Sequence, residues 1–221
     1  MSLGTGKVLN VAVSVGLATG VYGISFGALS VTAGFDIWQT IALSTLMFSG
    51  GSQFAFVAVG LTDLSTALTS AWLVGVRNGF YALSLAPVIG PRGLMRVLAA
   101  QLTIDESAAV STSRDNPKDR RLGFWLTGVS VFVFWNTATI LGAILGSQIG
   151  DPKTFGLDAA AAAALFALVW PRIQKSTGAM IAGAAIICGT LFSLILPSGP
   201  PVLLGAAVAV SLGFFLERRE S

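Results

Sequence analysis

The chain has 221 residues, of which 54% are hydrophobic and only 10% charged, with 26 glycines, one cysteine and no histidine. A soluble domain carries roughly 25% charged residues, so this chain cannot coat a water-facing surface. Its apolar content excludes a disordered chain, the single Cys188 excludes a disulfide scaffold, and the lack of histidine excludes a His-based metal or catalytic centre. What remains is an all-α integral membrane protein, because the apolar runs are continuous rather than alternating as in a β-barrel.

Charges punctuate the chain. Val8 to Phe35, Ile37 to Thr62, Leu122 to Gly150 and Ser176 to Leu216 carry none, and Leu64 to Gly90 carries only Arg77. A hydrocarbon core about 30 Å thick needs about 20 apolar residues of helix. The pattern therefore predicts one transmembrane domain, a polytopic bundle of about seven helices at 8–33, 37–61, 64–90, 124–149, 156–173, 179–196 and 201–216. The proline-rich Pro197-Ser198-Gly199-Pro200-Pro201 divides the last two. A cytoplasmic loop is expected over 91–123, with 94–112 the stretch most able to dip into the bilayer. The first apolar run is far longer than the core of a cleaved signal peptide.

Orientation follows from the cations. Arg92, Arg96, Arg114, Lys118, Arg120 and Arg121 in the long loop, Arg172 and Lys175 after the fifth span, and Arg218 and Arg219 at the C-terminus put these segments in the cytoplasm. Seven crossings then leave the N-terminus with Lys7 outside, in mild conflict with the same rule; six or eight crossings would relieve it. These loops account for the net charge of +3, so no nucleic-acid partner is needed.

In the first span, Gly16, Gly20, Gly23, Gly27, Ser30 and Gly34 recur at helical spacing and share one face. Small residues let a second helix approach backbone to backbone, so this stripe predicts a close packing interface, internal or to a partner helix. In the second span, Ser49-Gly50-Gly51-Ser52-Gln53 falls at the centre. Paired glycines weaken a helix by about 1 kcal/mol each relative to Ala, and a serine beside them can cap a new start. A half-helix N-terminus at that depth would offer free N–H groups to an anion; a kinked but continuous helix is the alternative.

The third span places Arg77-Asn78 at its centre. A guanidinium there costs at least about 2.5 kcal/mol and normally faces a cavity or a partner. Two roles compete: a bidentate clamp on a substrate carboxylate, or a counter-ion for Asp105, Glu106 or Asp63. Asn136, at the centre of the fourth span, reads as interhelical glue or as a contact for a substrate amino group. Cys188, Gly189 and Thr190 in the sixth span permit packing. Asp105-Glu106-Ser107 follows an apolar stretch, and its carboxylates are either a solvated helix cap or a proton-coupled gate. No phosphate-binding loop is present, so this chain does not use ATP directly, and no cofactor is implied. No internal sequence repeat is evident.

Tyr22-Gly23-Ile24-Ser25-Phe26-Gly27, Phe48-Ser49-Gly50-Gly51-Ser52-Gln53-Phe54-Ala55, Arg77-Asn78-Gly79-Phe80-Tyr81-Ala82-Leu83-Ser84 and Asp105-Glu106-Ser107, in that order, resemble the AzlC-type family, the large subunit of bacterial branched-chain amino acid exporters. The match covers residues 20 to 107; beyond it, only hydropathy and length agree. The family usually reads Asn-Leu-Arg-His where this chain has Gly75-Val76-Arg77-Asn78, so any proton relay through that histidine would here fall to Asp105 or Glu106. The resemblance implies an inner-membrane permease, not an enzyme, that exports valine, leucine or isoleucine with a small AzlD-type membrane subunit. An ion gradient would drive it. Such a substrate needs an anion site and a cation site beside an apolar pocket, for which Phe54, Phe56, Phe80, Tyr81 and Trp135 are candidates. A channel or exporter for another small solute would share these helices. A membrane-embedded enzyme is disfavoured by the shortage of acid–base groups.

Overall fold

The computed structural model describes residues 5–148, 166, 170, 173, 174, 176–196 and 200–220. These residues form nine α-helices and no strand: α1 (Thr5–Thr32), α2 (Ile37–Leu46), α3 (Gly50–Val59), α4 (Leu64–Ile89), α5 (Met95–Gln101), α6 (Asp105–Thr112), α7 (Pro117–Gln148), α8 (Ser176–Ser193) and α9 (Pro200–Glu220). Almost all of the span expected at 156–173 lies outside the described residues. Among the described residues three helices, within α1, α7 and α8, are long and apolar enough to cross a membrane. The protein is an all-α membrane protein.

The long helices α1 and α7 form the most extensive contact and run parallel. Gly16 faces Ser130, Gly20 faces Phe134, Gly23 faces Trp135 and Ala138, and Gly27 faces Thr139 and Ala143. Both helices ascend together along this seam. From the other side, Gly142 and Gly146 of α7 meet the Ile24 and Ala28 backbone. Small residues on both helices thus bring the two backbones together, the packing that apolar helices use where the solvent itself is apolar. The glycine stripe is filled from within the chain and cannot receive a separate subunit. Two of its members leave the seam: the Ser30 hydroxyl pairs with Thr40 of α2 at 2.8 Å, and Gly34, at φ 100°, lies beyond the end of α1.

Residues 37–61, expected to cross, instead enter and return. Asp36 starts α2 with a capping box: its side chain accepts from the Gln39 N–H at 2.8 Å, and Gln39 Oε1 accepts from the Asp36 N–H at 2.9 Å. The helix stops at Met47, and Ser49 is extended (φ −158°, ψ 102°) before α3 begins. Phe35, just before α2, packs on Phe56 near the end of α3 at 5.7 Å between ring centroids, and Gly60, with φ 64°, lies against the Ala33 carbonyl. Both ends of this unit are therefore on one side, with its tip, 47–49, directed inward. Two helices of ten residues each reach only about half of a 30 Å core.

The segment expected as a cytoplasmic loop builds a second hairpin from the opposite side. Leu102 packs at Gly128 and Val110 at Gly123, so α6 runs antiparallel to the start of α7 and returns towards the side from which α5 came. Its tip is 102–104, and α7 begins at Pro117 rather than near 124. The α4 helix, 26 residues and about 39 Å long, joins the two hairpins. Each repeat is thus one long helix followed by one re-entrant hairpin, α1 with α2–α3 and α4 with α5–α6, in inverted orientation.

This arrangement redistributes the charges. The start of α1 with Lys7, the α4–α5 link with Arg92, α5 with Arg96, and the α6–α7 link with Arg114, Lys118, Arg120 and Arg121 lie on one face. The opposite face carries Asp36 and Asp63. The expected placement of the N-terminus opposite the basic segments is therefore corrected: a hairpin that returns replaces a crossing, and the parity of α1 changes with it. Helices α8 and α9 pack on each other, α9 touches α4, and no described α8 side chain is buried.

Asp63 holds the start of α4. Its carboxylate accepts from the Thr66 and Ser65 hydroxyls and from the Thr66 N–H, and these bonds, the Thr66 hydroxyl first, lower its pKa to about 2. The folded value lies below the unfolded one. The contribution is therefore complete above pH about 4 and is lost as pH falls towards 2. Asp63→Ala, which removes the capping acceptor, is expected to lower the melting temperature of the purified protein by about 2–4 °C at pH 7. The gap between variant and wild type should narrow on acidification through that window, and a pH-independent gap would refute the assignment.

Candidate functional site

Breaking a helix inside a membrane frees backbone groups that water cannot satisfy. At the first tip the freed carbonyls are those of Ser44 to Leu46, while the Leu43 carbonyl still accepts from the Met47 N–H at 3.1 Å. Fully buried Gln53 donates from Nε2 to the Leu43 and Ser44 carbonyls, each at 3.2 Å. Gln101, from the end of α5, donates from Nε2 to the Thr45 carbonyl at 2.6 Å and to Leu46 at 3.5 Å. The two hairpin tips are thereby tied together. Gln53, expected among the substrate contacts of the break, instead uses its amide to complete the carbonyl end of α2.

On the other side of the first break, α3 starts without a side-chain cap. The Ser49 hydroxyl accepts from the Ser52 hydroxyl at 3.2 Å instead of capping the helix, and Gly50 and Gly51 bring no polar side chain. The second break differs. There Ser107 Oγ accepts from the Ile104 N–H at 3.1 Å and donates to the Leu102 carbonyl at 2.6 Å, and the first turn of α6 carries Asp105 and Glu106. One half-helix start is already supplied with negative charge, while the other is not.

A cavity of about 620 Å³ opens between the two tips and the middle of α4. Ser49, Ser52, Asn78, Gln101 and Thr103 give it polar groups, and Leu46, Met47, Phe48, Leu68, Trp72 and Val76 give it apolar walls. A second cavity of about 490 Å³, beside Arg92 and Arg96, shares Ala100 and Thr103 with it. A third of about 340 Å³, beside Gln39, shares Leu46 and Met47. The three follow one another from the basic face to the opposite one.

Arg77 does not line the central cavity. Its Nη2 lies 2.7 Å from Asp105 Oδ2, so of its two candidate roles the structure has the guanidinium as counter-ion, with Asp105 as the partner. Asp63 is on the far link and takes no part. Glu106 adjoins Asp105 and is influenced electrostatically by Arg77 and the Thr19 hydroxyl of α1. Two neighbouring carboxylates thus stand beside one guanidinium, which pairs with Asp105. Asn78, next to Arg77, does border the cavity.

Asn136 does not border it. Its Nδ2 donates to the Phe132 carbonyl one turn back in α7 at 2.8 Å. Phe54, Phe56 and Trp135 are buried core residues, with Trp135 stacked on Phe26 and packed against Gly50; Phe80 is exposed. Gln101, Thr103 and Trp72 are cavity residues that sequence reasoning missed. The available signal for Gln101 was an amide ending the apolar stretch 94–101, legible only once that stretch is known to reach the centre of the fold.

Residues 14–149, more than half of the chain, match the AzlC protein family. The chain is 25% identical over 195 residues to the branched-chain amino acid transport protein AzlC of Bacillus subtilis (strain 168), covering 85% of this chain and 75% of that protein. It is 29% identical over 165 residues to an uncharacterized membrane protein of Archaeoglobus fulgidus, covering 73% of each. No solved structure matches. The matched segment includes both hairpins, α4 and all but the first residues of α1. The chain belongs to the AzlC family of membrane transport proteins.

Proposed function

We propose that the protein exports branched-chain amino acids across the inner membrane by alternating access at the cavity between the hairpin tips. The observation that carries this reading is the uncapped start of α3 beside the cavity, where Ser49 and Ser52 line the wall. Ser49 and Ser52 line the cavity while Gly50, packed against Trp135, and Gly51 do not; the Ser49 and Ser52 hydroxyls, with the free amides of the first turn of α3, are proposed as the cradle for a carboxylate. Leu68, Trp72 and Val76 provide an apolar flank suited to an aliphatic side chain, and Asn78 adds a polar contact. The B. subtilis relative is named for branched-chain amino acid transport, which fits a carboxylate cradle beside an apolar wall.

Asp105 and Glu106 are proposed as the proton-coupling pair. Arg77 neutralises only one of their two charges, and an unbalanced carboxylate in a low-dielectric interior is the kind of charge that a moving proton cancels. The face holding Lys7, Arg92, Arg96 and the α6–α7 link is proposed as cytoplasmic, as is the C-terminus with Arg218 and Arg219. A small AzlD-type subunit belongs to this reading, at a surface other than the α1 glycine seam.

The test is efflux of labelled valine from loaded cells, with and without the coexpressed small subunit. Wild type is expected to accelerate efflux of valine but not of an unrelated charged amino acid. Ser49→Asp puts a carboxylate where the substrate's would sit, as an N-cap that the helix accepts readily. It should leave the folded protein intact and reduce efflux at least about tenfold, equivalent to about 1.4 kcal/mol of lost binding. Ser49→Asp efflux equal to wild type would place the carboxylate elsewhere.

A further inference from the structure

The carbonyl end of α2 is satisfied in two different ways. Leu43 accepts from the Met47 N–H and, with Ser44, from Gln53 within the same hairpin, so those bonds persist however the hairpins move relative to each other. Thr45 and Leu46 receive theirs from Gln101 of the other repeat. Those bonds break when the tips separate. Once broken, they leave two carbonyl oxygens without a donor at the negative end of α2, that of Leu46 on the cavity wall and that of Thr45 one residue before it. Leu46 and Gln101 both line that cavity, as does Ser49 at the adjoining start of α3.

We propose that the Thr45 and Leu46 carbonyls are the subsite for the substrate's ammonium group, and that Gln101 occupies it when the carrier is empty. An ammonium carries three donors and no acceptor, so it replaces the Gln101 amide at both oxygens. The carboxylate cradle at the start of α3 is separated from these carbonyls only by the three-residue tip, 47–49. Gln101 is a positioning residue in this scheme. Substrate must displace it to bind, and its displacement unties the two hairpins, so occupancy and tip separation are one event. The proposal rests on the carboxylate cradle at Ser49 to Ser52 for the substrate's orientation, but the ammonium subsite can be probed without it.

The experiment uses the full-length protein in lipid nanodiscs and compares wild type with Gln101→Met, which keeps side-chain length but has no donor, and with Gln101→Ala. Binding is measured for leucine, for 3-methylbutylamine, which lacks the carboxylate, and for 4-methylpentanoate, which lacks the ammonium. Removal of an internal competitor raises apparent affinity, so both variants are expected to bind leucine and the amine about tenfold more tightly than wild type, with 4-methylpentanoate unchanged. Weaker leucine binding would make Gln101 a direct substrate donor and overturn the proposal. An equal change for all three probes would reduce it to general loosening, and the same gain with sodium chloride alone would make the carbonyls an inorganic cation site. Tighter amine binding without leucine binding in any protein would sink the amino acid reading while leaving the subsite standing.

Discussion

Arg77→Met is expected to reduce the folded protein recovered from membranes at least about fivefold, and Asp105→Asn in the same chain to restore most of it. The pair is short, at 2.7 Å, and its side chains are 24% and 33% exposed. Breaking a buried ion pair by removing one partner costs about 3–5 kcal/mol, because the other charge stays buried and uncompensated. Partial exposure argues for the lower end of that range, but Glu106 adds to it: without the guanidinium, two neighbouring carboxylates on α6 face the interior with no cation. Neutralising Asp105 removes one of them and relieves their mutual repulsion. Monodispersity by size-exclusion chromatography and ligand-independent melting temperature read the outcome. An Arg77→Met variant recovered at wild-type level, with substrate affinity alone reduced, would return Arg77 to the role of carboxylate clamp.

The interruptions were legible because they violate the requirements of the bilayer. Two adjacent glycines between serines, and a guanidinium in the middle of an apolar run, are expensive in a lipid-facing helix, so their positions marked the hairpin tip and the ion pair. The direction of the chain after each interruption was not legible. A broken crossing and a re-entrant hairpin have the same apolar composition over 37–61; contacts such as Phe35 with Phe56 distinguish them, and these depend on the fold. The same limitation hid the inverted repeat. Gly50 and Gly51 stand where the second hairpin has Asp105 and Glu106, and only the following serine, Ser52 and Ser107, is common to the two helix starts. Gln101 was obscured for a related reason: its chemistry depends on the Thr45 and Leu46 carbonyls, which no side-chain pattern reports. The Gly16 to Gly27 stripe pointed to a face but could not name its occupant, since Gly142 and Gly146 of α7 were not read as its counterpart.

The seam between α1 and α7 leads to the second large effect. Gly27→Ala is expected to destabilise the protein by about 3 kcal/mol or more and to abolish transport, whereas Gly183→Ala in α8 should be neutral or stabilising by up to about 1 kcal/mol. The added methyl is identical in both, and alanine is the better helix former, so propensity alone predicts a gain at each position. The surroundings reverse the sign at Gly27. A Cβ there would overlap the Thr139 carbonyl and the Ala143 amide, backbone atoms that cannot rotate away, so the helices must part along the seam. At Gly183 a Cβ meets nothing within 4 Å. Gly20→Ala should fall between them, since its nearest neighbour is Phe134 Cβ at 3.0 Å. Gly142→Ala, which would meet the Ile24 carbonyl, should resemble Gly27→Ala, and the double variant should cost less than the sum because one separation of the helices accommodates both methyls. Melting temperatures of the five variants in a single detergent provide the comparison. Equal effects at Gly27 and Gly183 would show that the seam does not hold the two helices at backbone contact.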